Sequence, residues 1–492
     1  MMQRVPVFIL LTVCRLIFVM AVVWPAAALI WKCVTQGEAP TDGFTFSTRQ
    51  LLLLWRSTWM ALVATGGAVL LSLPAAHLVG RVGSLRRGPV AACGMLLLLL
   101  CPPTVYAFGW ETLLPVEFSG EMRCVGVWML WGWPIPAVLV GLGWSRSGRV
   151  VYEAALIDAT AAAAFFRVTL PLMWKYIGVS AAILFLLFFS DYGVPHICSL
   201  HVFATEILGW ASGSARTIDT IWPGMLNVAV TAFVLAAILL LWRRCAADRP
   251  VDAGESPPQR PLPLATALTI ILLAIAWLLP LWALTTRLDS LGAFTDALVV
   301  YGKDLAQSIG VASVAAVLAM MMGFGLVTSR RWLGIGLVGT LAFGAVPGAL
   351  VGESLIAAYN HEVLWWLYDY WPIVAVGYVA RFGWIGVLFA LAVVTGPSPD
   401  LTAQARTDGA SEAGVFVHVQ LPISWGPALG GAAVFVALAV AEVAATTLVR
   451  VPGYAPISLV LIEKFHRFED AMLVSLSLWL VAACLPGVLL LF

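Results

Sequence analysis

Glu153-Ala154-Ala155-Leu156-Ile157-Asp158-Ala159, continuing through Phe166-Arg167-Val168-Thr169-Leu170-Pro171, is a polar, charged island between long apolar runs. A related island follows far downstream. It reads Ala403-Gln404-Ala405-Arg406-Thr407-Asp408-Gly409-Ala410 and closes at Gln420-Leu421-Pro422. Asp408 stands 250 residues after Asp158 (408 − 158). Each island predicts a short cytoplasmic helix, a turn and a second helix, set between membrane spans. Two copies of such a unit predict a duplicated membrane protein with two docking points for a partner.

The surrounding composition agrees. Hydrophobic residues make up 61% of the 492 and charged residues 11%, against about 25% charged in a soluble domain. Mean hydropathy is +0.96. This excludes a soluble enzyme and predicts a polytopic membrane protein, because a span takes roughly 20 mainly apolar residues. Twelve spans are expected, at 7–31, 51–79, 89–108, 125–144, 177–195, 221–242, 264–286, 304–328, 333–356, 371–395, 426–448 and 471–491. The first apolar run, 5–31, is longer than the about 7–15 residues of a signal-peptide core, so it is expected to stay as a span.

Lys and Arg gather in cytoplasmic loops. Arg81, Arg86 and Arg87, then Arg146, Arg149, Arg167 and Lys175, then Arg243, Arg244 and Arg249, then Arg330 and Arg331 fall on one side if both termini are cytoplasmic. A net charge of +1 gives no sign of nucleic acid. The eight cysteines include no C-x-x-C pair. Cys33, Cys124 and Cys198 fall on the outer side, where a disulfide is one possibility. The six histidines lack ligand spacing, and no metal site is expected.

Residues 249–263 form the one long Pro-rich polar tract, which cannot continue a helix and favours an extended linker. It divides the chain into a first repeat at 1–248, with its island at 150–171, and a second at 264–492, with its island at 400–422. Weaker matches accompany the islands: Val23-Trp24-Pro25 with Leu278-Leu279-Pro280, Leu78-Val79-Gly80-Arg81 with Leu326-Val327-Thr328-Ser329-Arg330, and Cys101-Pro102-Pro103 with Val346-Pro347-Gly348. Even numbers of spans in each half give parallel repeats, related by an axis along the membrane normal with a path between them. Gly66-Gly67 and Gly323-x-Gly325 are expected where helices approach closely.

The order Glu-Ala-Ala, then a glycine, then a distal Leu-Pro resembles the EAA loop of type I ABC importer permeases. The resemblance covers essentially the whole chain. It implies an all-α fold of about twelve transmembrane helices in two parallel six-helix repeats. It also implies short coupling helices that seat in a groove of an ATP-hydrolysing subunit. Residue by residue, the coupling role falls on Glu153, Ala154, Ala155, Asp158, Ala159, Leu170 and Pro171, and on Gln404, Ala405, Asp408, Gly409, Leu421 and Pro422. In the second copy Gly409 and Pro422 have the family's spacing of thirteen, but Ala403 replaces the leading Glu. The first copy is one residue shorter, with Ala159 where the glycine belongs. Implied partners are a cytoplasmic ABC ATPase in two copies, a periplasmic or lipid-anchored substrate-binding protein, and the lipid of a bacterial inner membrane. No G-x-x-x-x-G-K-[ST] phosphate loop is present: Gly302-Lys303 is followed by Asp304 and lacks the upstream Gly. The chain is therefore expected to be no enzyme and to bind no cofactor, with ATP and Mg on the partner.

Asp191 lies twenty residues after Pro171, and Glu442 twenty after Pro422. An ionisable group within a span is expensive and usually faces a cavity or a partner. Both are expected either to face the path or its gate, or to be helix-end groups bonded to backbone or a basic neighbour. Glu353 in the ninth span could face the path or pair structurally. The segments around Asp191 and Glu442 resemble those of fused ferric-iron permeases, which implies ferric iron as solute. Thiamine, polyamine and aminoethylphosphonate permeases share the architecture. The rival class is a proton-driven secondary transporter with Asp191, Glu353 and Glu442 as relay groups.

Overall fold

The computed structural model describes residues 4–36, 39–41, 43–82, 89–114, 117–144, 149–213, 216–247, 263–288, 290–395 and 399–489. Among them every regular element is a helix. Eight helices are long and apolar enough to cross a membrane, and up to eleven if each of three bent pairs is one span. Leu62 and Leu70 on Thr48–Val82, Phe233, Leu278 and Val299 are exposed. Apolar exposure on this scale suits a lipid solvent better than water. The protein has the helices of a multi-pass membrane protein. The tract expected to be a linker lies, but for Pro263, outside the described residues.

Four expected spans are interrupted. The segment expected at 89–108 is two helices, Cys93–Leu100 and Pro103–Glu111, bent by 92°. The one expected at 333–356 is Arg330–Ala345 and Gly348–Tyr359, bent by 112°. The two breaks share a backbone: Pro102 (φ −55, ψ 130) and Pro347 (φ −52, ψ 139) each precede the second helix in an extended, polyproline-like conformation. The segments expected at 177–195 and 426–448 instead end as helices at Phe189 and Val440, and short helices Gly193–Ile197 and Ala444–Leu448 follow.

The chain packs as two compact units that cut across the sequence halves. One holds Met1–Ser47, Ala204–Val228 and Arg287–Phe492; the other holds Thr48–Phe203 and Ala229–Thr286. The first helical run thus packs with most of the second half, and the first helix after the Pro-rich tract packs with the first half.

Within the unit containing Thr48–Phe203, the long Thr48–Val82 helix packs against Gly120–Gly132, Pro134–Gly143 and Leu170–Phe189. Pro263–Thr286 joins them: Trp277 Nε1 donates to Gly94 O at 3.1 Å, and Pro280 sits so close to Gly109 that a Cβ there would meet it at 3.0 Å. Of the expected Gly66-Gly67 contact, Gly67 receives the Met129 side chain, while Gly66 has nothing within 4 Å.

Within the other unit, Leu291–Val327 crosses Pro372–Thr395 with backbone against backbone. A Cβ on Gly386 would lie 2.2 Å from Ala319 O, and one on Gly323 2.2 Å from Gly386 O. Gly325 packs on Cys14 of the N-terminal helix, where Arg15 Nε donates to Gly325 O at 3.2 Å and Arg15 Nη2 to Thr328 Oγ1 at 2.9 Å. Lipid offers apolar groups no gain from leaving water, so such close van der Waals contact is what holds helices together.

One further contact occurs once in each unit. Ser57 Oγ accepts the Phe203 N–H at 2.8 Å, and Ser308 Oγ accepts the Ile457 N–H at 2.9 Å. In both cases a serine on a long helix satisfies the orphan donor at the start of a later one.

Candidate functional site

The two islands are built alike from the backbone upward. The first begins with helix Arg149–Asp158, which closes with Ala159 N–H donating to Ala155 O at 3.0 Å. Thr160 Oγ1 accepts Ala163 N–H at 3.3 Å and so caps the short Ala161–Ala164 turn. A wide, π-type turn at Phe165–Thr169 then leads into Leu170–Phe189. The second runs Pro399–Thr407, a Ser411 cap on Gly414 N–H at 3.2 Å, Glu412–Val415, a π-type turn at Phe416–Gln420, and Leu421–Val440. Pro171 and Pro422 each stand one residue after the π-type turn gives way to the long helix. Single π-type turns often mark functional sites.

The one-residue difference in length has a local cause. Gly409 has φ +86. Its N–H donates to Arg406 O at 3.1 Å, and Ala410 N–H donates to Ala405 O at 2.9 Å, the paired bonds of a helix ended by a left-handed glycine. The first island reaches its capping Thr160 one residue sooner and has no left-handed residue, so Ala159 replaces glycine there without strain. Gly409→Ala is therefore expected to destabilise its turn by about 1–2 kcal/mol, the cost of a Cβ in the left-handed region. Faster amide exchange across 405–411, with 155–161 unchanged, is the result to look for.

Side-chain exposure follows. Glu153, Ala155 and Ala405 are half-buried; Ala154, Asp158, Ala159, Leu170, Pro171, Gln404, Asp408, Gly409, Leu421 and Pro422 are exposed. On the first island Ile157 is 83% exposed and Phe166 64% exposed. The position matching Ile157 in the second is Thr407, preceded by Arg406. At this one position the first island presents an apolar side chain and the second a polar one.

Twenty residues behind each Leu-Pro, the carboxylate sits at the helix break and caps the short helix beyond it. Asp191 Oδ1 accepts Gly193 N–H at 2.9 Å; Oδ2 accepts Val194 N–H at 3.3 Å and Trp128 Nε1–H at 2.8 Å. Glu442 Oε1 accepts Ala445 N–H at 3.0 Å, and its backbone oxygen accepts Ser458 Oγ–H at 2.7 Å. Capping by a short acidic side chain is worth about 0.5–2 kcal/mol. Asp191→Ala is expected to destabilise by that amount or more, since Trp128 also loses its acceptor, and Asp191→Asn by less. Thermal unfolding of the detergent-solubilised protein separates the two.

The charged partner of Glu442 is Arg381, which the sequence reading passed over. Its Nε lies 3.5 Å from Glu442 Oε2, with the two side chains only 8% and 9% exposed. Arg381 Nη1 donates to Gly344 O at 2.6 Å and to Val346 O, the carbonyls that the bend at Pro347 leaves without helical partners. In the other unit Trp131, 250 residues before Arg381 (381 − 131), donates from Nε1 to Cys101 O at 3.0 Å, just before Pro102. The available signal was a lone Arg inside the apolar run 371–395.

Glu353 is buried in Gly348–Tyr359 and feels the charge of Lys32. Lys32, Trp24, Trp31, Asn360 and His361 line a nearby cleft of about 720 Å³. Among the described residues no three His, Cys, Asp or Glu side chains group to hold a metal.

No family model, curated protein or solved structure matches the chain. The functional reading therefore stands on these residues and their geometry.

Proposed function

We propose that this chain is the transmembrane subunit of an ABC importer, with twelve spans in two parallel repeats and both termini cytoplasmic. The observation that carries the reading is the pair of exposed islands. Each is a helix, a Ser/Thr-capped turn and a π-type turn entering a long helix at Leu-Pro, with a capping carboxylate twenty residues later. Small residues such as Ala154, Ala155 and Ala405 let such a helix seat closely in a partner's groove. Two ATPase subunits grip the islands, and ATP-driven closure moves them as levers. The long helices behind Pro171 and Pro422 transmit that motion to the breaks at Asp191 and Glu442, which border the path. A binding protein delivers the solute on the outer face. Ferric iron is the solute favoured by the resemblance around Asp191 and Glu442; thiamine, a polyamine or aminoethylphosphonate would use the same machinery.

Proteoliposomes holding this chain, the ATPase and the binding protein encoded beside it test the reading. Solute uptake is expected to need ATP and to persist with an uncoupler. Uptake by the chain alone, driven by a proton gradient and abolished by the uncoupler, would instead make it a secondary transporter. Asp191→Asn and Glu442→Gln are expected to lower uptake more than assembly.

A further inference from the structure

We infer that Cys124 and Cys198 form a disulfide that staples the turn behind Asp191 to the neighbouring Gly120–Gly132 helix. Cys124 lies one helical turn beyond Gly120 and on the same face. Cys198 ends the short Gly193–Ile197 helix that Asp191 caps. The two backbones touch: a Cβ on Gly120 would lie 2.8 Å from Cys198 O. The Cys124 side chain lies beside Cys198, and both residues are buried as free thiols.

The position of Cys198 is fixed from both sides. After it the chain turns through Ser199 at φ +55, with Ser199 N–H donating to His196 O at 3.0 Å and Leu200 N–H to Pro195 O at 2.9 Å. Arg56 then ties the following residues to the same helix as Cys124: its Nε meets Glu121 Oε1 at 2.7 Å and its Nη1 donates to His201 O at 3.2 Å. Contacts that do not involve the thiols thus hold the Cys198 turn against the helix that carries Cys124.

The inference rests on the proposed orientation, which puts both cysteines on the outer, oxidising side, where disulfides form and persist. Burial in the folded chain means that the bond forms as the chain folds. One cysteine thiolate attacks the disulfide of an oxidant, a thiol oxidoreductase or oxidised glutathione, and displaces one of its sulfurs. The second cysteine thiolate then attacks the first cysteine's sulfur and displaces the other. Two protons and two electrons leave the pair, the S–S bond forms, and the oxidant leaves as its reduced thiols.

The full chain is trapped in its membrane with N-ethylmaleimide, purified without reductant and denatured in fresh reagent. It is expected to gain two fewer additions than its eight cysteines. A linked peptide pair containing residues 124 and 198 should vanish on reduction. Cys124→Ser should release Cys198 to full labelling, and Cys198→Ser should release Cys124. Labelling of all eight cysteines in the unreduced protein overturns the disulfide. The orientation is read separately: Phe44→Cys, in the exposed segment before Thr48, should react with a membrane-impermeant maleimide added to intact cells. Reaction only after lysis overturns the orientation, whatever the state of the pair.

Discussion

Arg381→Ala is expected to lower the unfolding free energy by about 3–5 kcal/mol, the usual loss when one partner of a buried ion pair is removed. The size follows from what is left behind. Glu442 would keep a buried carboxylate, with one backbone N–H, from Ala445, still donating to it. The carbonyls of Gly344 and Val346 would lose their donor at the 112° bend. An unpaired charge there must either take a proton or draw in water, and both weaken the bend. Arg381→Lys is not a mild change at this site, because one ammonium cannot copy the planar fork that spans a carboxylate and two carbonyls. Pairing Arg381→Ala with Glu442→Gln should destabilise less than the sum of the two single changes, since the stranded charge is gone. Thermal unfolding of all four proteins in one detergent gives the cycle. An Arg381→Ala protein within about 0.5 kcal/mol of wild type, the range of ordinary surface changes, would show that the pair does not hold the bend.

Gly386→Val should be the next most damaging change. A side chain there has no room, because even its first carbon would lie 2.2 Å from Ala319 O. The obstacle is backbone, which cannot swing aside as the end of a side chain can. The Leu291–Val327 and Pro372–Thr395 helices would have to separate, giving up contacts along their crossing. Overpacking of this kind costs about 1–3 kcal/mol and sometimes more. Gly66 supplies the control. It is also a glycine inside a long helix, yet nothing lies within 4 Å of its Cβ position. Gly66→Ala should be neutral or stabilise by up to about 1 kcal/mol, as alanine does in a helix interior. Equal losses at Gly66 and Gly386 would mean that helix crossing is not what the Gly386 position serves.

Much of the candidate site was legible because it is local in sequence. The Leu-Pro steps, the Ser or Thr at the cap and the glycine of the second turn are each signalled by a few adjacent residues, and the structure places them on matching elements. Arg381 was missed for the opposite reason. Its partners are 61 residues ahead at Glu442 (442 − 381) and 35 and 37 behind at Val346 and Gly344, and no window along the chain brings them together.

The sequence by itself determined the solvent and the grammar of the chain: apolar helices of membrane length, two polar islands at one offset, and a carboxylate at a fixed distance behind each. It also marked Pro102 and Pro347 as related positions. Only the tertiary structure decided that the helix breaks there. Pro74, Pro223 and Pro280 sit inside helices that run on through them, so proline alone does not end a span. A break in lipid is tolerated when the freed carbonyls find donors elsewhere. Trp131 supplies one at Cys101, and Arg381 supplies Gly344 and Val346. Those donors arrive from a different helix, and that meeting is settled by packing.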